Sequence, residues 1–231
     1  MTIVARSRQA DVVLLALDGA LSIGTVAVID GARVLAESSV AMKGAHEERL
    51  LPAVHDTLAR AGIAPGALDA VVCGAGPGSF TSLRIAASIA KGYAMGAGVP
   101  LHAVSSLLLV VAGAVEWPAA GRYLVLTDAM RGESFAALVV VDGGHSMAIE
   151  GAVRRIVSSD ADDEAARCGA TAVGPGRGRD LAPHARGVAR LESVPGAIVP
   201  VDLDTWEPDY GRLAEAQVKW EAAHGRPLPA A

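Results

Sequence analysis

The sequence predicts an α/β protein of two lobes, each built as βββαβα. Three observations carry that expectation. Apolar patterning switches from short β-branched runs to a helical period and back, the switch occurs twice in the same order, and each half opens with an apolar strand ending on an aspartate, Asp18 or Asp128. At 231 residues there is room for one large domain or two small lobes around a real core. With 52% hydrophobic and 19% charged residues, the composition is globular, not disordered.

Residues 12–18 form a continuous apolar run, 22–29 are rich in β-branched side chains, and 34–42 follow Asp30-Gly31, a hairpin signal. These are three antiparallel strands. From Ala45 the period changes: Leu50, Leu51, Val54, Leu58 and Ala61 share one face, Glu48, Asp56 and Arg60 the other, and Gly62 ends the helix. A strand over 70–74, a glycine-rich turn, a helix over 82–97 and a short strand over 101–104 complete the first unit. The second unit places strands at 123–127, 135–141 and 148–157, a helix from Asp160, a strand at 171–173 and a helix after Arg177. The lobes are expected at 1–105 and 106–231, with a last helix, 211–223, free to pack back on the first. Paired units of this order suggest an actin-like, sugar-kinase-like (ASKHA, ribonuclease H-like) architecture, which holds nucleotides between its halves.

In that architecture Asp18 and Asp128 would face the cleft, although each also stands at a tight turn, where an aspartate side chain caps the backbone. The stretch 70–84, AVVCGAGPGSFTSLR, runs an apolar strand into a Gly/Pro turn and a helix start. Gly74, Gly76 and Gly78 permit close backbone approach, and Ser79, Thr81 or Ser82 either caps the helix or contacts an anion at its N-terminus. Arg84 in the first turn opposes the helix dipole, so it is expected to pair with a carboxylate or a bound phosphate.

Named catalytic motifs fail. Gly-Lys never occurs, so there is no GxxxxGK[ST]; no glycine spacing completes GxGxxG; and Ser79 has Pro77 and Thr81 where GxSxG needs glycines. Histidines at 46, 55, 102, 145, 184 and 224 fit neither HExxH nor HxxxH, and His46 reads as a capping or surface group. Cys73 and Cys168 stand apart from any metal-ligand cluster or disulfide framework. No metal site is expected. Arg6 and Arg8 precede an apolar stretch too short for a signal sequence, and no 18-residue apolar window lacks a charge, so the expected location is the cytoplasm with no membrane contact. A net charge of −5 without a basic run argues against direct nucleic-acid binding.

The helix SLRIAASIAKGYAMGA is apolar on almost every side and must be covered all round. Its small residues permit close helix approach, so with the preceding amphipathic helix it is a candidate for a four-helix contact between chains; burial within the chain's own fold satisfies the same pattern. The candidate interface comprises Leu50, Leu51, Val54, Leu58, Leu83, Ile85, Ala86, Ile89 and Ala90. Asp18, Gly76, Gly78, Ser79, Arg84 and Asp128 are the candidate anion or nucleotide contacts.

GPGSFTSLR, followed by AKGYA and VSSL, resembles the GPGSFTGLR, AKGLA and VSSL run of the TsaB family. The LLP at 50–52 and the DAMRGESFAA block from Asp128 are similar to two further family stretches, and the likeness covers about residues 12–140. The resemblance implies an actin-like two-lobed fold and a part in forming threonylcarbamoyladenosine in transfer RNA, without catalysis by this chain. Implied partners are the TsaD transferase, engaged through the N-terminal helices, and the ATPase TsaE; the chain would pair with itself when TsaD is absent, meet transfer RNA only indirectly, and meet ATP at most at the complex interface. TsaD carries a metal-binding HxxxH where this chain has Ser106-Leu107-Leu108-Leu109-Val110. Ser82 and Ala86 replace usual glycines, Met130 a common arginine, and Gly19-Ala20 common hydroxyl residues, departures that weigh on nucleotide binding more than on an interface. The alternatives are an actin-like ATP-dependent phosphotransferase using Asp18 or Asp128 as base, and a glycoprotein peptidase, for which no nucleophile or metal ligand set is found.

Overall fold

The computed structural model describes residues 12–42, 48–143, 146–211 and 224–225. Arg6, Arg8, His46, His145 and the expected last helix beyond Gly211 lie outside the described residues. β1 (Val13–Asp18), β2 (Ile23–Asp30) and β3 (Arg33–Ala41) form an antiparallel meander. α1 (Leu50–Ala61) follows, its first N–H groups taken by the Glu48 carboxylate, at 2.5 Å from the Leu50 nitrogen, and its end closed by Gly62 in the left-handed region at φ 69°. β4 (Ala70–Gly74) pairs in parallel with β1, α2 (Phe80–Ala97) starts two residues earlier than its periodicity suggests, and β5 (Leu101–Val104) pairs in parallel with β4.

α3 (Ser106–Ala112) was not expected from the sequence. All seven of its residues are buried. The second unit repeats the first in β6 (Gly121–Asp128), β7 (Glu133–Val141), β8 (Met147–Val157), α4 (Ala161–Arg167) and β9 (Thr171–Val173), with β6 antiparallel to β7 and parallel to β9 as β1 is to β2 and β4. The duplication stops there. Residues 174–184, punctuated by Gly174, Pro175, Gly176, Gly178 and Pro183, form no helix, and α5 (Val188–Leu191) comes only after a 3-10 turn. β10 (Ile198–Val201) then crosses the expected lobe boundary and adds antiparallel to β5, giving a first sheet ordered β10-β5-β4-β1-β2-β3 beside a second ordered β8-β7-β6-β9.

Five layers result. α1 and α2 cover one face of the first sheet, α3 and α5 fill the space between the sheets, and α4 covers the far face of the second. β1 explains why its run is continuously apolar: Leu14 and Ala16 face the central layer while Leu15 and Leu17 face α1 and α2. The fold is a two-lobed actin-like one.

Candidate functional site

The Gly/Pro turn after β4 is organised by Asp18. This carboxylate is fully buried; Oδ2 accepts the Ser106 hydroxyl at 2.5 Å and Oδ1 accepts the Ala20 N–H at 3.0 Å. Ser106 Oγ in turn accepts the Gly76 N–H at 3.0 Å. Burial pushes the Asp18 carboxyl above the usual carboxylate range, against the pull of those two hydrogen bonds. Asp18 therefore does not face a cleft, because the N-terminus of α3 covers the end of β1. The same contacts engage both of its carboxylate oxygens.

The glycines do allow close approach, but to the chain's own atoms. A side chain at Gly74 would run into Asp18 Oδ2, one at Gly76 (φ +88°) into the Asp209 carbonyl, and one at Gly78 into the Ala20 carbonyl. The Ser79 N–H is spent on the Ala20 carbonyl at 2.7 Å, and the Asp209 N–H donates to the Ala75 carbonyl at 2.8 Å. The expected anion cradle at Gly76, Gly78 and Ser79 is thus occupied by residues 20 and 209. Ser82 and Ala86 are buried; the Ala86 methyl packs beside Gly19 at the end of β1, and the Ser82 hydroxyl meets that of Ser79 at 3.1 Å, so both side chains are accommodated within the chain's own fold.

Between the lobes lies a cleft of about 1170 Å³. Of the expected anion contacts, Gly78, Ser79 and Asp128 line it, whereas Asp18, Gly76 and Arg84 do not. Asp128 is exposed at the end of β6, its Oδ1 accepting the Met130 N–H at 2.7 Å. Met130 and Arg131 then take left-handed backbone, at φ 65° and 57°, which costs a non-glycine residue about 1 kcal/mol each. This turn puts both side chains on the cleft rim, beside Arg155, which is 3.2 Å from Glu133. The opposite wall is aromatic: the Phe80 and Tyr210 ring centroids are 4.5 Å apart. Burial, reinforced by a hydrogen bond donated to Glu207 at 2.8 Å, pushes the Tyr210 phenol up to about 12.

A second cavity, a groove of about 500 Å³, runs along the outer surface of α1 and α2. Here the expected interface needs correction. Leu50, Val54, Leu58, Ala86 and Ala90 are buried inside the chain, packed on the first sheet, because the small residues of α2 let it lie close to β4, and Leu83 is buried against the turn at Gly76. Leu51 is 48% exposed, and it lines the groove with Ile85 and Ile89. The sequence reading missed Phe80, Thr81, Ser88 and Glu48, which complete it. Phe80, one of only two phenylalanines in the chain, stands at a helix start, where an apolar ring has no core to enter; that was the available signal. Arg84 also lines this groove, with its guanidinium carbon 5.4 Å from the Phe80 ring centroid and no carboxylate partner among the described residues.

Among the described residues no three His, Cys, Asp or Glu side chains stand close enough to hold a metal ion. The place where HxxxH would fall is the buried apolar helix α3. Cys73 is buried, and burial together with the neighbouring Asp18 carboxylate pushes its thiol far up, which favours the neutral form. No helix among the described residues is long and apolar enough to cross a membrane.

A family model described as TsaD, tRNA N6-adenosine threonylcarbamoyltransferase, matches residues 34–176. The tRNA threonylcarbamoyladenosine biosynthesis protein TsaB of Escherichia coli (strain K12) is 37% identical over 124 residues, which are 54% of this chain and 53% of that protein. TsaB of Bacillus subtilis (strain 168) is 33% identical over 131 residues, 57% of this chain and 56% of that one. The chain spans about half the length of the curated relatives it matches. Among solved structures, YeaZ from Pseudomonas aeruginosa superposes with a TM-score of 0.69 at 28% identity, covering 86% of this chain and 99% of that one.

Proposed function

Since the chain belongs to the TsaB family, within the group that the TsaD description covers, we propose that it is a non-catalytic partner subunit in the formation of threonylcarbamoyladenosine in transfer RNA. It seats a TsaD-type transferase on the outer face of α1 and α2 and acts in the cytoplasm; in the transferase's absence the same face takes a second copy. TsaE is the ATP-hydrolysing partner of the assembly, ATP enters at the complex interface, and transfer RNA is reached only through the partners.

The observation that carries this reading is the groove between α1 and α2. Its apolar wall of Leu51, Phe80, Ile85 and Ile89 is flanked by Glu48 and Arg84, charges of opposite sign that suit a polar rim. Support also comes from the Gly/Pro turn: Asp18, Gly76 and Ser79, the groups an actin-like phosphotransferase would use, are engaged by Ser106, Asp209 and Ala20. Reconstitution tests the reading. Transfer RNA modification by TsaD and TsaE should require this chain, and full modification in its absence would refute the role. The isolated chain should show no ATP turnover that Asp128→Asn abolishes.

A further inference from the structure

Two residues, Phe80 and Thr81, line both the outer groove and the cleft between the lobes. The Phe80 ring is the shared wall. On the groove side the Arg84 guanidinium carbon lies 5.4 Å from its centroid, and on the cleft side the Tyr210 ring lies 4.5 Å from it. The positive charge of Arg84 is felt beyond the ring, where it partly offsets the upward shift of the Tyr210 phenol pKa.

Tyr210 belongs to a strap, residues 207–211, fastened to both lobes. Asp209 gives its N–H to the Ala75 carbonyl at 2.8 Å and rests its own carbonyl on Gly76, both in the first lobe. Gly211 is wedged between Pro77 of the first lobe and Phe135 of the second, with no room for a side chain. Displacing Tyr210 therefore moves the piece of chain that spans the junction, while Phe80 itself is 37% exposed and is not among the buried residues of α2.

We propose that Arg84, Phe80 and Tyr210 form a relay that couples occupancy of the α1/α2 groove to the strap, and through it to the opening of the cleft between the lobes. The proposal rests on the partner-subunit reading above. A partner protein that packs on Phe80 and draws Arg84 into a contact of its own re-sets the Phe80–Tyr210 stack; by linkage, whatever biases the Tyr210 conformation in turn alters partner affinity. Tyr210 lines the cleft and not the groove, so direct contact with the partner does not account for such an effect.

The test uses the full chain carrying 3-fluorotyrosine, with the Tyr210 fluorine resonance assigned by Tyr210→Phe and the TsaD-type transferase as titrant. A sizing measurement first establishes that the complex forms. The relay predicts that the Tyr210 resonance shifts on binding while that of Tyr123, in the second sheet, stays in place. It also predicts that Tyr210→Leu changes the dissociation constant at least threefold while Tyr210→Phe, which keeps the stack, leaves it near the wild-type value; thermal unfolding confirms that each variant is folded. A complex that forms with an unmoved Tyr210 resonance and unchanged Tyr210→Leu affinity overturns the relay alone. If no complex forms, the partner reading falls and the relay falls with it.

Discussion

Asp18 and Asp128 occupy equivalent places, each at the end of the first strand of its unit, and each accepts the backbone N–H two residues on, at 3.0 Å and 2.7 Å. Their surroundings differ completely. Asp18 is sealed under α3 and bound by Ser106, whereas Asp128 is open to the cleft and followed by two strained residues. Repeated topology dictates the local turn, and what packs over the turn dictates the chemistry. The first unit has α3 and the strap to close it; in the second unit residues 174–184, directly after β9, form no helix, and its turn stays open.

The strongest way to break this contrast is to add one carbon atom on each side. Gly74→Ala forces a methyl into the Asp18 carboxylate and should lower unfolding free energy by about 3 kcal/mol, as overpacking of a rigid site does. Gly176→Ala, at φ +71° with open space around it, should cost only about 1 kcal/mol. Urea unfolding of both variants compares them directly.

Removing the carboxylates comes next. Asp18→Ala strands the Ser106 hydroxyl and the Ala20 N–H in the core and should cost about 2 kcal/mol, while Asp128→Ala, exposed, should cost less than about 0.5 kcal/mol. Similar losses at the two positions would contradict the contrast.

Acidity probes the seam between the second-lobe segment and the first sheet. His184 accepts the Arg186 N–H at Nδ1, 3.1 Å away, and faces the Ser39 hydroxyl on β3; burial, with the Arg186 charge adding, pulls its imidazole down to about 4. The unfolded chain takes up this proton near 6.5 and the folded chain only near 4, so His184 lowers stability as pH falls through that window. Asp18, displaced upward by burial, has the opposite sign: its contribution declines as pH rises above the unfolded carboxylate value. Melting temperatures at pH 7 and pH 5 should converge in His184→Gln relative to wild type.

The smallest effect is expected at the cleft rim. Arg131→Gly should stabilise the protein by about 0.5 kcal/mol, relief of left-handed strain being partly offset by the greater freedom of glycine in the unfolded chain. A loss of stability there would mean that the Arg131 side chain makes a contact worth more than the strain.

Much of the fold was legible in the sequence. Alternation and β-branching marked β1, β2, β3, β6, β7 and β8, and Gly62 marked the end of α1. α3 was not legible because SLLLVVA is apolar on every side; it lies between two sheets, so burial erases the period that would reveal it. β10 escaped because it contains Pro200 and pairs with a strand almost a hundred residues earlier, which its edge position tolerates. At the candidate site, the glycine spacing correctly announced close approach but carried no information on what approaches. Asp209 and Ala20, distant in sequence from each other, supply the answer. Likewise the even spread of alanines over α2 hid which of its faces looks outward, and six of the nine expected interface residues belong to the core.

The exposed remainder of that face carries the central claim, and one measurement addresses it most directly: the mass of the complex formed with a TsaD-type transferase by wild-type chain and by Leu51→Asp, whose side chain lies in the groove and outside the core. The account predicts a stable assembly for wild type and at least a tenfold weaker one for Leu51→Asp at unchanged melting temperature. An assembly of undiminished affinity with the aspartate in place would contradict it.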